Sequence, residues 1–311
     1  MKIGLQIDAF KWPGGPAQIG PTLGRIARTA EDAGFDSIWV MDHFFQIRGV
    51  GPATDPMLEG WTTLGYLAGL TTRARLGLMV GGIHYRTAGL WAKAATTLDV
   101  LSGGRAWLGI GAAWNEEESR GLGFPMPPLG VRFEMLEEML QITHALWTGE
   151  RGTEGAFDGR HYQASRLLNS PQNLTRPHPP ILIGGGGEQK TLRLVAQYAD
   201  ATNVFGDGPR VAHKYAVLRE HCERIGRNYD EIERSNLIDL TLRRDGPGPD
   251  RRPVRRAGRC RRPARDHEPG RRRGAHPAGG DRAGGNQPGA GPLGVLLDTP
   301  REYRSSGRMR A

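Results

Sequence analysis

The chain has 311 residues, with 42 Lys or Arg against 33 Asp or Glu and a formal net charge of +9. Spread evenly, that excess would suit an acidic partner such as nucleic acid or a membrane surface. It is not spread evenly: residues 1 to 242 carry 24 basic and 26 acidic side chains, while residues 243 to 311 carry 18 Arg, no Lys and 7 acids, so whole-chain charge excludes nothing about the function of the larger part.

From the amino terminus, KIGLQID (2 to 8) reads as a strand, followed by a helix in PTLGRIARTAEDAG whose Leu23, Ile26, Ala27 and Ala30 share one face and whose Gly34 stops it. DSIWVMD (36 to 42) is apolar on both faces and runs into Asp42 and His43. ARLGLMV (74 to 80) ends in Gly81 and Gly82 and then His84, Tyr85 and Arg86, and RAWLGIG (105 to 111) leads into AAWNEEE. A helix with a stripe through Phe133, Leu136, Leu140 and Trp147, stopped at Gly149, precedes a Gly, Pro and Asn-rich excursion over 150 to 180 that reads as an inserted loop or hairpin shaping the mouth of a pocket. Strands ILIGG (181 to 185), ADATNVF (199 to 205) and NLIDLTL (236 to 242) complete the pattern.

Strands covered on both faces and alternating with amphipathic helices imply parallel strands joined by right-handed crossovers. An open doubly wound sheet and a closed (β/α)8 TIM barrel both satisfy this; seven strands with one long excursion favour the barrel. Residues 1 to 242 are expected to form that domain. Residues 243 to 311 contain 13 Gly and 9 Pro but seven large apolar or aromatic residues, too few to form a core, and are expected to be disordered.

Four stretches could carry chemistry. Asp42 and His43 stand where a buried strand ends, the place where parallel α/β folds gather reactive side chains, although a capping Asp and a packed His would look the same. IGGGGEQKTL brings Gly185, Gly186 and Gly187 between a strand and a helix start, which suits a phosphate and also suits a tight turn. Asn115 and the glutamates after it could bind a polar ring edge or supply an acid, or simply begin a solvated helix. Val80 and Gly81 end the third strand, where glycine would let a flat ligand approach the backbone. Cys222 and Cys260 have neither disulfide nor zinc spacing, and no metal site is expected. MKIGLQIDAF lacks the basic start and apolar stretch of a signal peptide, and no apolar run nears the roughly 20 residues that cross a bilayer, so a soluble cytoplasmic protein with no membrane partner is expected.

Together GFDSIWVMDHFF, LGLMVGGIHYR, TTLDVLSGGRAWLGIGAAWNEEE, RFEMLEEML and ILIGGGGEQKTLRLVAQYADATN resemble the luciferase-like monooxygenase family, most nearly its branch using the deazaflavin coenzyme F420, over residues 1 to about 242. The resemblance implies a TIM-type barrel with the coenzyme across the carboxyl-end mouth, a small-molecule substrate and, as is common in the family, a homodimer; no nucleic-acid partner is expected, because the Arg-rich tail has no Lys and one aromatic residue, Tyr303, to stack on bases. By position it implies that Asp42 and His43 lie beside the ring, with His43 as proton relay or hydrogen-bond donor. Val80 and Gly81, at a stretch where a non-prolyl cis peptide is common, would back the ring, Asn115 would bond the ring edge, and Gly185, Gly186 and Gly187 would hold the phosphate. The implied chemistry is hydride transfer at the deazaflavin C5. An FMN-dependent monooxygenase and a non-functional frameshifted product are the alternatives.

Two departures stand out. Sugar-phosphate dehydrogenases of the branch have a Trp soon after the Asp-His pair and a Glu past the fourth strand; here Phe44, Phe45, Gln46 and Ile47 follow His43, and the later loop is shorter, which argues against glucose 6-phosphate. The family's last strand-helix unit is missing or replaced: Arg, Gly, Pro and Ala make up 47 of the last 69 residues, the four amino acids whose codons can be built from G and C alone. A frameshift near residue 243 in GC-rich DNA yields this mixture and would leave a barrel with two exposed edges. Translating the other two frames after Leu242 should recover an apolar strand-helix pattern in one of them; its absence from both overturns the frameshift.

Overall fold

A computed structural model describes residues 1–240 and the strand at 293–298; the rest of the tail lies outside the described residues, and with it most of the expected disordered segment. In chain order the elements are β1 (Ile3–Ile7), α1 (Ile19–Asp32), β2 (Ser37–Val40), α2 (Gly60–Ala68), β3 (Arg75–Leu78), β4 (Gly81–Gly82), α3 (Ala88–Ser102), β5 (Ala106–Gly111), α4 (Glu116–Gly121) and α5 (Leu129–Trp147). There follow β6 (Phe157–Asp158), β7 (Gln163–Ala164), β8 (Ile181–Gly184), α6 (Thr191–Tyr198), β9 (Ala201–Val204), α7 (Gly208–Ile225), β10 (Glu233–Leu240) and β11 (Leu293–Asp298). All seven expected strands form, each within the expected stretch except the last, which begins earlier, at Glu233.

The strands β3, β2, β1, β11, β10, β9, β8 and β5 pair side by side in that order, and a further β3–β5 pairing, Leu76 with Ala106 and Gly77 with Trp107, joins the two ends of the row. Seven strands are parallel. The eighth, β11, runs antiparallel to both neighbours, with Gly294 opposite Gln6 on β1 and Asp239 on β10. The expected exposed edges are therefore corrected: a short apolar run inside the tail pairs with both, so disorder does not extend to Leu293–Asp298.

Two apolar layers result. Helix faces such as Leu23, Ala27 and Ala30 on α1 and Leu136 and Leu140 on α5 pack on the outward side chains of the strands, while Trp39, Met79, Trp107, Leu182 and Ala201 fill the barrel interior. Trp39 and Trp107 meet edge to face at 5.7 Å. Gly77 makes this possible, because a Cβ there would fall 2.5 Å from the Trp39 ring. An interior of large side chains is a packed core, not a channel, and leaves ligands the carboxyl-end mouth.

The excursion after α5 does not shape that mouth, contrary to expectation. Its hairpin runs along α5, where Glu138 accepts the Arg160, His161 and Tyr162 N–H groups. Its return is clamped by Asp99, near the end of α3, which accepts the Leu174 and Thr175 N–H groups. The reason is topological: a helix following a parallel strand ends at the amino-end side of the barrel, and a segment returning to the next strand stays on that side.

Candidate active site

The expected site residues lie at the carboxyl ends of four strands that are neighbours in the ring: Asp42 and His43 after β2, Val80 and Gly81 after β3, Asn115 after β5, and Gly185, Gly186 and Gly187 after β8. The turn after β2 is fixed from behind. Asp42 is buried at 2% exposure, and its oxygens accept Arg86 Nη1 at 2.7 Å, Arg86 Nη2 at 2.8 Å and the Gly82 N–H at 3.3 Å. Arg86 also bonds Glu59, the N-cap of α2, and lies 4.7 Å above the Trp91 ring. Burial pushes the Asp42 carboxyl above its ordinary range against the pull of Arg86. With both oxygens committed, Asp42 holds the turn.

His43 is held by a residue the sequence left indistinct. Its Nδ1 donates to Glu118 Oε1 at 2.5 Å, and Glu118, wholly buried, also accepts the Tyr85 hydroxyl at 2.5 Å and the Phe44 and Phe45 N–H groups at 2.7 and 3.2 Å. Burial by itself would raise the Glu118 carboxyl, but the His43, Tyr85 and Phe44 donors reverse this and hold it below the usual range. An ionised carboxylate only accepts, so Nδ1 carries the proton and Nε2 is left without a hydrogen bond among the described residues. Phe44, Tyr85 and Phe124 pack ring to ring, with centroids 4.9 to 5.1 Å apart, around this group. Trp114 is 59% exposed and meets the His43 ring edge to face at 5.5 Å.

The loop after β5 is equally constrained. Ala113 adopts a left-handed φ of 60°, and Arg132 Nη1 donates to the carbonyls of Ala112 and Ala113. That conformation costs a non-glycine residue about 1 kcal/mol, and the guanidinium offsets it. Asn115 caps α4 by accepting the Glu117 N–H at Oδ1, which leaves Nδ2 without a hydrogen bond among the described residues.

On the wall between these loops the Met79–Val80 peptide is cis, one residue before the Val80–Gly81 pair. Val80 lies over a bed of glycines: a Cβ on Gly111 would fall 3.1 Å, and one on Gly184 2.8 Å, from its methyl groups. Gly81 has a different reason from the one expected. A Cβ there would strike Trp91 at 2.4 Å, so its missing side chain makes room for the indole that supports Arg86.

After β8 the chain turns through Gly185, at a φ of +120°, and Gly187, whose Cβ would fall 2.8 Å from Thr191 Oγ1. Lys214 passes 3.6 Å from the position a Gly186 Cβ would take and pairs with Glu188 at 2.5 Å. A backbone this bare beside an ammonium group suits an anion. Lys214 escaped the sequence reading, Tyr85 and Arg86 were placed after the third strand without a role, and Glu118 was one of three glutamates that could supply an acid. The nearest signal was the triple glutamate after Asn115, of which helix phase buries only the third.

Comparison with known proteins adds the following. The profile of a family described as luciferase-like monooxygenase matches residues 1–245, ending beside the change in composition. An F420-dependent glucose-6-phosphate dehydrogenase of Nakamurella multipartita is 33% identical over 235 residues, 72% of this chain and 65% of that protein. A pyrimidine monooxygenase of Acinetobacter baylyi is 31% identical over 208 residues, 64% of this chain and 53% of that protein. The chain thus spans less than two thirds of the length of these relatives. Among solved structures, the coenzyme F420-dependent tetrahydromethanopterin reductase of Methanopyrus kandleri superposes with a TM-score of 0.61 at 18% identity, over 75% of this chain and 65% of that one, a likeness of fold.

Proposed function

Because the chain belongs to the luciferase-like monooxygenase family, we propose that it is an oxidoreductase that moves a hydride between coenzyme F420 and a small organic substrate. What carries this reading is the His43–Glu118 pair, an imidazole with one nitrogen committed to a buried carboxylate and the other unbonded at the end of β2. The residues present fit the coenzyme. Val80 on its glycine bed offers a flat wall for the ring, Asn115 Nδ2 a donor for its edge, and Gly185 to Gly187 a bare turn for its phosphate, with the Lys214 ammonium, paired to Glu188, beside it.

Bound there, the coenzyme supplies a carbon that gives or takes a hydride without activating oxygen. The protein's part is proton management and exclusion of water. His43 Nε2 gives or receives the proton that accompanies the hydride, and Glu118 stabilises the imidazolium formed when Nε2 is protonated. The ring of Phe44, Tyr85 and Phe124 shields the pair. Asp42 acts from behind, by keeping the turn in place through Arg86.

The relatives named for glucose 6-phosphate do not decide the substrate, since Phe44 and Phe45 follow His43 here; a less polar, phosphate-free molecule fits these side chains better. Titration with F420 and with FMN, followed by coenzyme fluorescence, tests the assignment. Saturation at one F420 per chain is expected, with FMN at least about tenfold weaker, a difference of about 1.4 kcal/mol. Tighter binding of FMN would move the chain to flavin-dependent chemistry.

A further inference from the structure

Asn203 has no part in the scheme above. It stands on the inner face of β9, two residues beyond Ala201, in register with Gly184 of β8 and Ser235 of β10. The residue is 1% exposed, and its Oδ1 is buried without a hydrogen-bond partner.

The hydrogen bonds around this amide set its orientation. Its Nδ2 donates to Ser235 Oγ at 3.0 Å, while the single hydroxyl hydrogen of Ser235 goes to the Thr202 carbonyl at 3.1 Å. In this arrangement Nδ2 faces Ser235 and Oδ1 faces away from it, and turning the amide over would take the Ser235 hydrogen from the Thr202 carbonyl. The Thr202 hydroxyl is spent on the Ile183 carbonyl. Neither hydroxyl can therefore serve Oδ1, and a buried acceptor without a donor is costly enough that native proteins keep few.

Position names the missing donor. Val80 packs against one side of Gly184, and Gly184 pairs with Asn203. The next residue, Gly185, donates its N–H to the Asn203 carbonyl and begins the glycine turn. Asn203 thus adjoins both Gly184, on which the wall assigned to the coenzyme ring packs, and the first residue of the turn assigned to its phosphate. In F420 and in FMN alike, ring and phosphate are joined by a ribityl chain whose hydroxyls are donors.

We propose that Asn203 is a coenzyme-binding residue that accepts a hydrogen bond from a ribityl hydroxyl at Oδ1. This role rests on a ribityl-phosphate coenzyme occupying the mouth, but not on which ring it carries.

The test uses the full chain, with Asn203→Leu as an apolar near-isostere and Asn203→Ala as a smaller second variant. Dissociation constants are measured for F420, FMN and lumiflavin, which has a methyl group where FMN has the ribityl phosphate, together with the melting temperature without coenzyme. Both variants should bind F420 and FMN about tenfold or more weakly, the usual loss for one hydrogen bond, while their affinity for lumiflavin stays unchanged. The uncomplexed Asn203→Leu protein should melt no lower than wild type, because an orphan acceptor has been removed. Unchanged F420 and FMN affinity in both variants overturns the role of Asn203 alone. Equal loss for lumiflavin, or a clear fall in melting temperature in both variants, assigns Asn203 to the barrel's packing and overturns it too. A wild-type chain that binds neither F420 nor FMN overturns the coenzyme reading, and this role with it.

Discussion

Glu118→Gln is expected to lower turnover in the proposed hydride transfer about a hundredfold or more, within the range general acid-base groups contribute. Glu118 receives four donors, the His43 Nδ1–H and Tyr85 hydroxyl on one oxygen and two backbone N–H groups on the other. An amide keeps one of those oxygens and turns the other into a donor facing donors, so one pair is lost whichever way it turns. It also removes the negative charge that stabilises a protonated His43. The fold should weaken by about 3 kcal/mol, as buried groups lose their partners.

The pH dependence separates the two effects. Glu118 is held below its ordinary value in the folded protein: burial opposes this, and the His43, Tyr85 and Phe44 donors prevail. A depressed carboxyl contributes stability that is present above the unfolded value of 4.5 and is lost as pH falls through the folded one. Urea midpoints for wild type should therefore fall below about pH 4.5, and the Glu118→Gln midpoints should fall less over the same span. Turnover within threefold of wild type at neutral pH would show that His43 does not need its partner.

The barrel was legible because its strands are apolar on both faces, so DSIWVMD and RAWLGIG announce themselves without tertiary information. The location of Asp42 and His43 was legible for the same reason, since a strand end can be read and parallel strands share a mouth. What remained hidden is pairwise. Nothing in the spelling of Glu116, Glu117 and Glu118 distinguishes the one that turns inward, and Arg86 lies 44 residues from the Asp42 it neutralises. Gly81 was read as room for a ligand when its neighbour is Trp91, a contact only the packed chain creates. The tail misled in the opposite way: its composition cannot form a core, yet six residues within it suffice to pair with β1 and β10, because a strand in a ring draws its hydrogen bonds from its neighbours, not from its own helix.

Arg86→Met is expected to destabilise the protein by about 3 to 5 kcal/mol at pH 8, the usual result of removing one partner of a buried ion pair. The methionine keeps some of the contact with Trp91 but leaves Asp42, at 2% exposure, with the Gly82 N–H as its remaining partner among the described residues. Burial already pushes the Asp42 carboxyl above its unfolded value of 3.8, and without the guanidinium nothing comparable pulls it back. A carboxyl raised in the folded state is stabilising when protonated, and that stability is lost as pH rises through the folded value. The variant should accordingly gain in denaturant midpoint between pH 8 and pH 5. Asp42→Asn combined with Arg86→Met should recover much of the loss, since the charge that needed a partner is gone. If the single variant is as stable as wild type at pH 8, Asp42 is not an ionised anchor. The turn that presents His43 would then owe its shape chiefly to Glu118, which accepts the Phe44 and Phe45 N–H groups directly beyond it.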